Sequence, residues 1–124
     1  MVYQHVNFER VSIILTKNVV INGVEDVRLI EETVDPKAVS AKECLIESEV
    51  SLISAGTELS RVFGLKKGAV YPVRPGYCSV GKILAIGDDL AGFNVGDRVL
   101  FNGPHSSLQF YDPSKSDGGV LFKL

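Results

Sequence analysis

Ala91-Gly92-Phe93-Asn94-Val95-Gly96-Asp97-Arg98-Val99-Leu100 sets two glycines and an aspartate directly ahead of an apolar run. Gly92 and Gly96 admit turn geometries that side chains disfavour, and Asp97 suits the turn itself. Residues 98–101 then read as a short strand, with Phe93 free to plug a core. Turn, aromatic plug and strand together mark a fold rather than a chemistry.

The same grammar extends in both directions, as short apolar runs separated by Gly, Pro, Asn and Asp. Downstream, residues 108–111 and 120–124 predict two strands with a flexible loop over 112–119. Upstream, residues 77–86 predict a strand closed by Gly87-Asp88, after a loop at Val73-Arg74-Pro75-Gly76. Residues 43–54 give the clearest strand. Cys44, Ile46, Ser48, Val50 and Leu52 fall on one face, and Glu43, Leu45, Glu47, Glu49, Ser51 and Ile53 on the other. The acidic start implies a strand that begins wet and enters the core toward Ile53. Residues 10–16 predict a strand ending at the turn-prone Lys17-Asn18. Asn22-Gly23 predicts a hairpin joining residues 19–21 to 27–34, and Asp35-Pro36 then breaks the chain. The one helical segment is 57–63, with Thr57 as cap, Glu58 in the first turn and Gly64 at the end. The fold class that follows is mainly β with one or two short helices.

At 124 residues the chain is the size of one domain. It can bury roughly two-thirds of its unfolded surface, enough for a core without staples. Its 45% apolar and 23% charged residues are ordinary globular values. A formal charge of −2 gives no reason to expect nucleic acid or an anionic membrane as partner. No run approaches the ~20 apolar residues of a membrane helix, and the first ten residues do not read as a signal peptide. Cys44 and Cys78, with His5 and His105, have no zinc-like spacing, and a reduced, cytoplasmic protein is expected. The last strand runs to Leu124 with no turn after it, which reads as a piece of something longer.

Gly76-Tyr77-Cys78-Ser79-Val80-Gly81-Lys82 fits part of a phosphate-binding loop, but Ile83 stands where a magnesium-holding hydroxyl is required. The run also leads into a β-branched strand instead of a helix. Neither G-x-G-x-x-G nor G-x-S-x-G occurs.

Ser54-Ala55-Gly56-Thr57-Glu58, then Val73-Arg74-Pro75-Gly76-Tyr77-Cys78, then residues 80–87 and 91–100 follow one another in an order and spacing that resembles a known family. It is the N-terminal, GroES-like catalytic domain of the medium-chain dehydrogenase/reductases of zinc alcohol dehydrogenase type. The match covers about residues 43–101, and G-F-x-V-G-D-R-V is its most specific part. The resemblance implies a partly open GroES-like β-barrel over residues 1–124, with the Rossmann domain missing. It also implies NAD or NADP in a full-length parent, bound by that missing domain, and an alcohol or carbonyl substrate.

The site residues are where this chain departs from the family. Ala55 stands where the family has a zinc-binding cysteine, and Tyr77 and Cys78 stand where it has His and Glu. Alanine has no donor atom, and a phenol must lose a proton before it binds zinc. No zinc is therefore expected. Thr57 matches the family's hydroxyl relay between substrate oxygen and cofactor ribose, with a helix cap as the bland alternative. Ser60 falls where that relay often continues to a histidine. Tyr77 either protonates a carbonyl oxygen in place of zinc or fills the vacated pocket with its ring. Cys78 reads as a small buried hydrophobe and His105 as an exposed loop residue. The expected function is the substrate-side domain of a zinc-independent NAD(P)-dependent oxidoreductase, inactive alone, with homo-oligomerisation left open. A GroES-type co-chaperonin or other interaction module is the alternative, weakened by the lack of an early flexible docking loop.

Overall fold

Eight strands and one α-helix form among the residues described in the computed structural model, which are 5–8, 11–115 and 119–124, with side chains from residue 13. The strands are β1 (His5–Phe8), β2 (Val11–Gly23), β3 (Asp26–Val34), β4 (Cys44–Ser51), β5 (Ser79–Ile86), β6 (Arg98–Phe101), β7 (Leu108–Tyr111) and β8 (Leu121–Lys123). The helix is α1 (Ala55–Val62), and a single 3-10 turn spans Pro36–Ala38. Two antiparallel sheets result, ordered β1-β2-β3 and β7-β4-β5-β6-β8. The fold is mainly β, and the sheets do not close into a barrel. No helix among the described residues is long and apolar enough to cross a membrane.

The marker stretch behaves as its sequence implies. Gly92 and Gly96 take φ +87° and +93°, in the region that favours glycine. Gly96 N–H donates to Ile83 O at 2.8 Å, and Ile83 N–H donates to Asp97 O at 2.9 Å, so the turn is pinned to β5. Phe93 packs against a cluster of Cys44, Ile46, Ile83, Val99 and Phe101. β6 and β7 have the expected bounds. The phosphate-loop-like run enters β5 rather than a helix. The loop expected over 112–119 lies partly outside the described residues.

Three expectations need correction. β2 does not end at Lys17-Asn18. It continues because Lys17 and Asn18 pair with Glu31 and Ile30 on β3, and the Asn18 amide donates to Glu32 at 2.9 Å. The hairpin turn falls at Val24-Glu25, beyond Asn22-Gly23, with Glu25 at φ 57°. β4 is deepest at its start, where Cys44, Leu45 and Ile46 are fully buried, and emerges toward Val50 and Ile53. Both sides of that start are covered. Cys44 and Ile46 join the Phe101 cluster, while Leu45 between them packs with Ile14 and Leu108.

Candidate functional site

The β2–β3 hairpin presents a continuous apolar face, because Val19 pairs with Leu29 and Ile21 with Val27, and directly opposed residues share a face. α1 brings Leu59 and Val62 toward that face, and Ile53 and Pro75 complete the apolar wall. Together they line an open cavity of about 540 Å³, within the range of small-molecule sites.

One part of its wall is polar. Ser51, Glu58 and His105 line it together. His105 Nδ1 lies 2.6 Å from Ser51 Oγ, and His105 Nε2 pairs with Glu58 Oε1. Both partners of that pair are nearly withdrawn from solvent, at 11% and 9% side-chain exposure. A carboxylate at position 58 fixes a proton on Nε2, which leaves Nδ1 to accept from Ser51 or, in the imidazolium, to donate to it.

Each of these groups has a local cause. The helix begins after Ser54, whose side chain makes no capping bond. Glu58 reaches back instead, and its Oε2 accepts the Ser54 N–H, so one carboxylate caps α1 and holds His105. The His105 main chain is tied at both ends: its N–H donates to Pro75 O at 2.8 Å, and its carbonyl accepts Val19 N–H at 3.1 Å. Gly76, at φ +108°, gives the ring its space. A Cβ there would stand 2.7 Å from His105 N, closer than real contacts allow, and a tight 3.1 Å from the ring carbons. Beyond His105 the chain enters a buried polar seam. Thr16 Oγ1 donates to Leu108 O at 2.8 Å and accepts Leu108 N–H at 3.0 Å, and Ser107 Oγ accepts Lys17 N–H at 2.7 Å.

The residues singled out from sequence sit elsewhere. Thr57 is inside α1 and exposed, so it is not the cap; Ser54 holds that position. Ser60 Oγ donates to Thr57 O at 2.7 Å, which brings those two together on one helix. Tyr77 is half exposed, so its ring does not fill a closed pocket. Thr57, Ser60 and Tyr77 do not line the cavity. His105, expected in solvent, is largely withdrawn from it because Glu58 and Ser51, 47 and 54 residues away, close over it. Cys44 and Cys78 are both unpaired thiols. Burial, with the nearby Glu43 charge, pushes the Cys44 thiol up to about 12. Among the described residues, no group of three His, Cys, Asp or Glu side chains could hold a metal.

The architecture is shared with solved enzymes. Galactitol-1-phosphate dehydrogenase from Escherichia coli superposes with a TM-score of 0.69 at 20% identity, over 87% of this chain and 38% of that one. A quinone oxidoreductase from Pseudomonas syringae pv. Tomato gives 0.63 at 22%, over 88% and 33%. CAD from Helicobacter pylori, complexed with NADP(H), gives 0.63 at 17%, over 79% and 39%. The chain shares the fold of one part of each of these enzymes. At these identities the likeness is one of fold, and the chain spans between a third and two-fifths of each enzyme. No family model and no curated protein sequence matches it.

Proposed function

We propose that this chain is the substrate-side, N-terminal domain of an NAD(P)-dependent oxidoreductase acting on an alcohol or carbonyl without zinc, in the cytoplasm. The observation that carries the reading is the cavity with a buried acid–base pair on its wall, set in a fold found in oxidoreductases. A nicotinamide, held by a separate Rossmann domain, would exchange a hydride with the substrate carbon. This chain would bind the substrate, exclude water and manage the proton. Thr57, exposed on the first turn of α1 with Ser60 one turn on, is free to meet the cofactor ribose. Tyr77, half exposed, is free to donate to an oxygen across the interdomain cleft. Exposed Leu52, Ile53, Leu59, Phe63 and Leu65 supply apolar surface for that partner domain.

The donor set does not fit the family's zinc. Ala55 has no ligating atom, and both nitrogens of His105 are taken up by Ser51 and Glu58. The proton chemistry is therefore assigned to hydroxyl, imidazole and carboxylate groups alone.

Titrating NADH and NADPH into the chain, followed by fluorescence or calorimetry, tests the division of labour. Neither should bind, and tight binding of either would overturn it. Reading the coding sequence past Leu124 is the second test. A G-x-G-x-x-G on a strand–turn–helix is expected there, and an unrelated domain counts against the proposal.

A further inference from the structure

We infer that the cavity between α1 and the β2–β3 hairpin is a binding site for an apolar molecule bearing one carbonyl or hydroxyl oxygen, which Ser51 receives. The apolar wall of Val19, Ile21, Val27, Leu29 and Leu59 offers nothing to a polar ligand body. The other hydroxyls on the wall are already engaged, Ser106 Oγ with Leu108 O and Ser107 Oγ with Lys17 N–H. Lys17 is exposed at the rim. Ser51 differs, because its bond to His105 Nδ1 uses only part of its capacity. When Ser51 donates to a neutral imidazole, its lone pairs face the cavity and accept an alcohol O–H. When an imidazolium paired with Glu58 donates to Ser51, the hydroxyl hydrogen turns outward to a carbonyl oxygen. One hydroxyl thus complements both members of an alcohol/carbonyl couple.

The choice of that couple rests on the oxidoreductase reading above; the occupancy of the cavity does not. In the oxidation direction the alcohol O–H bond breaks and its proton passes to Ser51 Oγ. The former Ser51 proton moves to His105 Nδ1, and a nicotinamide held by the parent enzyme would supply the acceptor for the C–H hydride. This chain would then hold the carbonyl and an imidazolium–carboxylate pair, with the two electrons accounted for by that acceptor. Backbone ties at Pro75 and Val19 and the vacancy above Gly76 hold the imidazole in register for it.

The test uses the chain itself, isotope-labelled, with two probes of one shape. Acetonaphthone is a flat aromatic ketone, and isopropenylnaphthalene carries a methylene in place of its oxygen. Acetonaphthone should shift the amide resonances of Ser51, Glu58 and His105 saturably. It should bind about five-fold tighter than the hydrocarbon, as expected for one neutral hydrogen bond. Ser51→Ala should erase that ratio while leaving hydrocarbon binding intact, and Ser51→Thr should keep it. Equal affinities in the unaltered chain, shifts mapping away from these residues, or a ratio that survives Ser51→Ala would each overturn the site. So would failure of both probes to bind. If Ser51→Ala does not fold, Leu59→Trp, which fills the apolar side, should abolish binding of both probes, and retained binding overturns the site. No nicotinamide is present, so the outcome is independent of the oxidoreductase reading. Ligand binding by a chain whose parent transfers no hydride would defeat that reading only.

Discussion

Around Phe101 the protein buries carbon, whereas along the seam where β2 meets residues 105–108 it buries oxygen and nitrogen. In the first region Cys44, Ile46, Ile83, Val99 and Phe101 are almost fully enclosed, and the ring of Tyr111 meets Phe101 edge-on at 5.3 Å. In the second, Thr16, Asn18, Ser106 and Ser107 are also buried, and hydrogen bonds replace contact area. Apolar packing is non-directional and supplies stability. Buried hydrogen bonds add less but tolerate one geometry only. The polar seam runs into His105, so the costlier kind of interior lies where a side chain must be aimed.

Four measurements break or sharpen that contrast. Phe101→Ala should cost about 3–5 kcal/mol in urea unfolding, as for other large core aromatics, and leave the Ser51–His105 geometry unchanged. A loss under 1 kcal/mol would mean that the carbon region is not the chief source of stability. Thr16→Val should cost about 1–3 kcal/mol, because the Leu108 amide is left facing a methyl group. Probe binding in the cavity should fall as well, since the segment carrying His105 loses its anchor. Unchanged binding would separate seam from site.

The third concerns pH. Burial pushes the folded Cys44 thiol up to about 12, whereas a free thiol titrates near 9.0. Between those values the folded state binds more protons than the unfolded one, so stability falls as pH rises through the window. The slope should be about 1.4 kcal/mol per pH unit, seen as the difference between the unaltered chain and Cys44→Ala. Parallel curves would show that the thiol is not sealed. The smallest effect belongs to the surface. Arg98→Ala removes an exposed pair with Glu49 at 2.9 Å and should cost about 0–1 kcal/mol.

What could be read without coordinates divides along the same line. Residues 92–101 were legible because glycine, aspartate and β-branched residues act through their own backbone. The hairpin was legible for the same reason, though its turn moved two residues on. Lys17 and Asn18 were misread because polarity inside a strand looks like a turn, and the groups that satisfy it are not local: Ser107 lies ninety residues from Lys17, and Glu32 faces Asn18 across the hairpin. His105 was misplaced by its Gly103-Pro104 neighbours, which speak for a loop but not for its depth. Glu58 carried a faint signal, a carboxylate one turn after Ser54 and able to reach back to it. Nothing in the local pattern joins it to residue 105. The wet start expected of β4 failed because both faces of its first residues are covered from elsewhere in the chain, Cys44 and Ile46 by the Phe101 cluster and Leu45 by Ile14 and Leu108.

Gly76 gives an experimental handle on the difference between having a group and having it in place. Any side chain at that position would collide with the amide and ring of His105 without deleting one polar atom of the Ser51–His105–Glu58 set. Gly76→Ala would therefore keep the chemical inventory and lose only the alignment. Compared with Ser51→Ala, which keeps the alignment and loses the hydroxyl, it would tell how much of the site is composition and how much is aim.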